Sequence, residues 1–290
     1  MWCYVLEVKV LEHRPYFLRL RLKDVPLSLL NAVRRACFTD VPVMAIDIVE
    51  FFENNTVLYD EIIAHRLGLI PLTSEEALEK YASPEECRDA PLGDPKCYVV
   101  FRLEVETGPN EYRVVYSGDM ESSDRSVKPL HDNIPIVVMA PNQSLRLQAY
   151  ARLGYGHEHA KWMPVSIAAH KYLPVLHFDL EKSGNCEECL KCIDSFLPEL
   201  AKKMRKEVRG SIEILEDINT SGLNWCVVKK CGGCAKLEYR EGDYLLKIET
   251  TGALPARTVL LRAIEAIRRK TQKLLEELFE LRKQRLREGG

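Results

Sequence analysis

The sequence predicts an α+β protein of several parts. Three observations carry this. Apolar residues alternate with polar ones at the start and through the middle of the chain, as in half-buried strands. Six of the ten cysteines cluster between Cys186 and Cys234. The chain closes on a long heptad-patterned stretch.

Taken in order, Tyr4, Leu6, Val8 and Val10 alternate, then Phe17, Leu18, Leu20 and Leu22 follow a His-Arg-Pro turn, which predicts a strand pair. Asp24 is expected to cap a helix running to Cys37, with Pro26 in its first turn. Leu29, Leu30, Val33, Ala36 and Cys37 share its apolar face, and Asn31, Arg34 and Arg35 lie off it. Val43 to Phe52 reads as a strand. Asp60 is expected to cap a helix through Leu67 that stops at Gly68. Ile70-Pro71-Leu72 is extended, and Thr73 to Glu76 reads as a capping box.

Residues 82–96 hold three prolines and a glycine and read as a loop. Strands are expected at Tyr98–Glu106, Tyr112–Tyr116, Ile136–Met139 and Leu145–Leu153. Phe196 to Arg209 is expected to be a helix, and Tyr239 to Thr250 a hairpin turning at Glu241-Gly242-Asp243. The last helix runs from Pro255 to about Arg287. Along it Leu260, Ile264, Ile267, Thr271, Leu274, Leu278 and Leu281 are spaced alternately by four and three. At 1.5 Å per residue it is roughly 50 Å long, longer than a small domain. The seam favours a partner helix over packing within the chain.

Composition narrows the function. The chain is 46% hydrophobic and 29% charged, enough for a core and a solvated surface. No apolar run reaches the length of a membrane helix, and Met1-Trp2-Cys3-Tyr4 begins no secretion signal, so a cytoplasmic protein is expected. The net charge of −2 argues against a protein that grips DNA by itself, such as a zinc-binding transcription factor. The basic excess after Gly252 reads as a solvated helix face. No Asp-x-Asp-x-Asp run is present to hold catalytic magnesium, so no active site of its own is expected.

The cysteine cluster is the strongest chemical signal. Cys186, Cys189 and Cys192 give C-x₂-C-x₂-C, most of a ferredoxin run, but position 196 is Phe where the next cysteine would stand. Cys226, Cys231 and Cys234 follow at different spacing. The favoured reading is one iron–sulfur cluster, [4Fe-4S] or [3Fe-4S], on Cys186, Cys189 and Cys192 plus Cys234 or Cys231. The runner-up is zinc on Cys186, Cys189, Cys231 and Cys234. Two other motifs fail as chemistry. His157-Glu158-His159 lacks a second histidine at position 161, which is Lys, and Gly154-Tyr155-Gly156 is followed by His159 where a dinucleotide fingerprint needs glycine. His65, near the end of its short helix, reads as structural.

Three stretches carry a family resemblance: Leu29-Leu30-Asn31-Ala32-Val33-Arg34-Arg35-Ala36, Ala64-His65-Arg66-Leu67-Gly68-Leu69-Ile70-Pro71-Leu72, and residues 151–164 from Ala151-Arg152-Leu153-Gly154-Tyr155-Gly156 to Lys161-Trp162-Met163-Pro164. In this order, with the long closing helix, they resemble the alpha-type subunits of RNA polymerase, which include the archaeal D-type polypeptide and its bacterial and eukaryotic equivalents. The resemblance covers nearly the whole chain. It implies a dimerisation domain from residues 1–43 and 240–290, an inserted sheet-rich domain over 44–175, and a ferredoxin-like domain over 176–239. It further implies a non-catalytic platform subunit of the polymerase, a nucleotidyltransferase. Such a subunit pairs with the smaller subunit L through its first and last helices, contacts subunits N and P, and nucleates assembly of the large subunits, among them B. Arg34 and Arg35 would contact a large subunit, and Lys161 and Trp162 would anchor an interface. Eukaryotic relatives bind zinc with four cysteines at the loop where only Cys87 and Cys97 remain here, which leaves no metal assignment there and allows a disulfide. The alternative function, a stand-alone iron–sulfur electron-transfer protein, has no cofactor motif besides the cysteines.

Overall fold

The structure, a computed structural model, describes residues 6–181, 186–218 and 220–288. The expected strand position Tyr4 lies outside them. Two compact units are distinguishable, Met1–His13, Arg19–Leu29 and Ala169–Lys247 in one, and Arg14–Leu18, Leu30–Ala168 and Ile248–Gly290 in the other.

The chain opens on strands β1 (Glu7–Arg14) and β2 (Phe17–Lys23). Period two is visible in β2, where Leu18, Leu20 and Leu22 are buried. Helix α1 (Leu27–Thr39) follows. Asp24 does not cap it. This residue sits at φ +57 three positions before the helix, and Pro26 immediately precedes it. Leu30, Ala36 and Cys37 are buried, while Leu29 stays exposed, so the inward face is narrower than its apolar stripe.

Strand β3 (Val43–Asn54) leads to α2 (Asp60–Gly68) and the single turn α3 (Ala77–Lys80). The expected caps are used otherwise. Asp60 is the first helical residue, and its carboxylate accepts from Asn54 at 2.7 Å. Gly68 is the last residue inside the helix, and Leu69 ends it in an ordinary right-handed conformation. Ser74 is fully buried, its hydroxyl accepting from the Met44 amide at 3.0 Å and donating to the Leu72 carbonyl, and the Thr73 hydroxyl donates to the Ser126 carbonyl at 2.8 Å, so Thr73–Glu76 forms no capping box.

Strands β4 (Val99–Glu106), β5 (Arg113–Tyr116), β6 (Glu121–Ser122), β7 (Pro135–Met139) and β8 (Ser144–Gly154) complete this region. The sheet order is β3-β8-β4-β6, with β5 and β7 as a separate ribbon. Val99, Phe101, Leu103 and Val105 alternate inward on β4 and meet Ile63 and Leu67 of α2 in one core.

Strand β9 (Val165–Asp179) is followed by helices α4 (Cys186–Phe196) and α5 (Pro198–Glu207), edge strand β10 (Arg209–Glu213) and helix α6 (Thr220–Lys230). Strand β11 (Ala235–Thr250) and helix α7 (Ala256–Glu288) close the chain. The second sheet has the order β1-β2-β11-β9-β10. The expected hairpin at 241–243 is absent because β11 runs through it as one strand. Of this trio only Gly242 has positive φ, at +80, and the strand passes through it without reversing.

Candidate functional site

Helix α7 has two faces with different fates. Ala256, Val259, Ala263 and Ala266 recur at helical spacing and are buried. Lys270 adds an ion pair to Asp40 at 2.7 Å, and Arg262 pairs with Glu79. The heptad seam lies on the neighbouring strip. Leu260 and Ile267 are half-buried, but Ile264 is 47% exposed. Beyond it Thr271 is exposed, and Leu274, Leu278 and Leu281 are 55%, 52% and 57% exposed. Leu275 and Phe279 widen the same apolar surface. Thr271 spends its hydroxyl on the Ile267 carbonyl at 2.8 Å, within the helix. Thus the start of α7 is anchored by its alanine-rich face, and its seam is left uncovered by the described residues.

Arg35 of α1 is exposed and Arg34 half-buried, with its Nε donating to Asn31 at 3.4 Å. His65 is exposed on α2, and Arg66 beside it donates to the Pro135 carbonyl at 3.0 Å.

The loop after β8 is built around one carboxylate that the sequence reading missed. Asp47, on β3, receives Arg152 Nε at 2.7 Å and Lys161 Nζ at 2.6 Å. Burial alone would raise the Asp47 carboxyl, but these two cations outweigh it and hold it below the usual aspartate value. Arg152 also reaches Glu158 at 3.1 Å. The two cations lie 4.4 Å and 4.3 Å from the Trp162 ring. Trp162 itself is 3% exposed and donates its indole N–H to the Arg152 carbonyl. Lys161 and Trp162 therefore sit inside the fold, organising the loop, rather than on its surface.

Two glycines make that packing feasible. A Cβ on Gly154 would overlap the Trp162 ring, and one on Gly156 would overlap the carbonyl oxygen of Phe38 at the end of α1. His157 and His159 are spent on this structure. The first bonds the Thr39 carbonyl at 2.9 Å and stacks on Tyr155, and the second accepts from the Lys161 amide at 3.0 Å.

The cysteine module departs from a converging ligand set. Cys186, Cys189 and Cys192 occupy consecutive turns of α4, so the triad is drawn out over about 9 Å of helix. Each is disulfide-bonded to a different residue: Cys186 to Cys234, Cys189 to Cys231 and Cys192 to Cys226, with Cα separations of 5.7, 4.3 and 5.8 Å. An iron–sulfur cluster or a four-thiolate zinc site needs deprotonated thiols aimed at one point. This arrangement does not fit either group, because the sulfurs are paired and strung along a line. Among the described residues no group of three or more His, Cys, Asp or Glu could hold a metal ion. Cys87 and Cys97 are also joined, across the proline-rich loop. Cys37 is buried and reduced, its thiol pushed up to about 12 by burial, and hence inert.

Comparison with known proteins decides the family. Residues 46–175 match the RNA polymerase Rpb3/RpoA insert domain. The DNA-directed RNA polymerase subunit Rpo3 of Aeropyrum pernix is 38% identical over 93% of this chain and 94% of its own. The Rpo3 of Thermococcus kodakarensis is 37% identical over 96% and 99%, and that of Archaeoglobus fulgidus 35% identical over 94% and 98%. The chain belongs to the archaeal Rpo3 family. The likeness to these Rpo3 chains extends well past the insert domain, over nearly the full length of each. Among the described residues no helix is long and apolar enough to cross a membrane.

Proposed function

We propose that the chain is a non-catalytic assembly subunit of an archaeal DNA-directed RNA polymerase. Membership of the Rpo3 family supports this reading over a stand-alone electron-transfer protein. The single observation that carries the mechanism is the exposed seam of α7, where Ile264, Leu274, Leu278 and Leu281 are each about half exposed among the described residues. A surface of this kind is characteristic of a helix awaiting a partner.

In this reading residues 1–43 and 240–290 form the dimerisation domain, 44–175 the inserted domain and 176–239 a separate small domain. Subunit L covers the seam. Arg34 and Arg35 meet one of the large subunits, the one designated B, and subunits N and P bind alongside. An Arg fork suits carboxylates at such a contact. The loop organised by Asp47, Lys161 and Trp162 presents a rigid outer surface to neighbouring subunits, with the two side chains acting from inside. The complex works in the cytoplasm, and phosphoryl-transfer chemistry belongs to its large subunits.

Affinity purification of the tagged chain from its native cells, followed by mass spectrometry, tests this. Stoichiometric recovery of the large polymerase subunits with L, N and P is expected. Recovery of electron-transfer enzymes in their place would refute the reading, as would template-dependent nucleotide incorporation by the isolated chain.

A further inference from the structure

We infer that this chain is a disulfide-stapled protein, in which the small cysteine module is closed by three cross-links in place of a metal centre. Two regions in different units support this separately. At the proline-rich loop only Cys87 and Cys97 are present, both nearly buried, too few to form a metal site by themselves, and they are joined to each other. In the module the six sulfurs pair in strict reverse order. The triad reads forward along α4 as Cys186, Cys189, Cys192, and its partners read backward as Cys234, Cys231, Cys226. The result is a ladder without crossed links, which fastens α4 along its length to the end of α6 and the start of β11.

The surroundings suit covalent closure. Cys189, Cys226, Cys231 and Cys234 are almost fully buried, and the first three share a core with Leu176, Phe178, Ile193 and Met204. That core is small, and small cores need cross-links or metals to hold them. The linked cysteines are 48, 42 and 34 residues apart, so each link removes a large loop from the unfolded ensemble. Glu187 and Glu188, beside Cys186 and Cys189 in sequence, are exposed on α4. Each bond forms by thiol–disulfide exchange: two thiols lose two electrons and two protons, and the disulfide of an exchange partner accepts them to become two thiols.

The test uses the native polymerase complex, lysed without oxygen into an alkylating agent that blocks free thiols. Peptide mapping without reduction is expected to recover Cys186–Cys234, Cys189–Cys231, Cys192–Cys226 and Cys87–Cys97 unalkylated, with iron and zinc absent from the isolated chain. After reduction, amides of α4 and α6 are expected to exchange on the order of a hundredfold faster, while those of β3, β4 and β8 keep their rates. Stoichiometric iron with sulfide, stoichiometric zinc, alkylated thiols within the module, or other pairings would each overturn the inference.

Discussion

Arg21 grips Asp243 with both arms of its guanidinium, Nε to Oδ1 at 3.0 Å and Nη2 to Oδ2 at 2.7 Å, at a point where the Asp243 side chain is 1% exposed. Arg21 also holds Glu213 of β10 at 2.7 Å, and Arg240 reaches the same two acids. The network ties β2, β10 and β11 together across the sheet. Arg21→Met would leave the buried carboxylate with only the more distant Arg240, and is expected to cost about 3 kcal/mol or more in chemical denaturation. Arg21→Lys should recover little of that, because an ammonium cannot reproduce the fork. A loss below about 1 kcal/mol for Arg21→Met would show that the network adds little to stability.

Asp47 gives a pH signature. Its carboxyl is held below the ordinary aspartate value of about 3.9, so it contributes stability above that pH and loses it as the pH falls through the folded-state value. Acid unfolding followed by Trp162 fluorescence should therefore steepen below about pH 4. Asp47→Asn should remove that part of the slope and lower stability at neutral pH by about 1–3 kcal/mol, since Lys161 loses its charged partner. An unchanged acid slope in Asp47→Asn would contradict the assignment.

Gly156 is required by contact rather than by backbone angle. Alanine there would meet the Phe38 carbonyl, which is fixed at the end of α1 and cannot swing aside. Gly156→Ala is expected to destabilise the fold by about 3 kcal/mol and to raise exchange at His157, whose ring rests on Thr39. Gly242→Ala, with nothing within 4 Å of the added carbon, should cost only about 1 kcal/mol, from its positive φ. Melting temperatures of the two variants compare the effects directly.

What the sequence revealed depended on the range of the interaction. Period two marked β2, β4 and β8, and the heptad spacing marked α7 almost to its ends, because each pattern reports burial on one face. The caps were misread where a polar side chain had another use: the Thr73 hydroxyl serves Ser126 and Lys128, more than fifty residues away, and Asp60 accepts from Asn54. The hairpin at Gly242 was misread because Asp243 resembles a turn residue locally, yet is drawn inward by Arg21, 222 residues earlier. Lys161 and Trp162 read as surface anchors because nothing local reveals Asp47 between the cations. The cysteine spacing marked a module held together through its sulfurs, but it could not show that helix α4 would draw the triad into a line.

In the proposed assembly a partner helix covers the α7 seam. Ile264→Asp places a carboxylate in the middle of that strip, at a position already half exposed in the chain alone. The folded chain should tolerate it, whereas burying the charge under a partner helix costs several kcal/mol, comparable to an interface hot spot of about 2–4 kcal/mol. Co-expressed with subunit L and resolved by size-exclusion chromatography with light scattering, the wild type is expected to elute as a 1:1 complex and Ile264→Asp as a separate, folded monomer. Undiminished co-elution of Ile264→Asp with subunit L would contradict the account and place the dimer surface elsewhere on the chain.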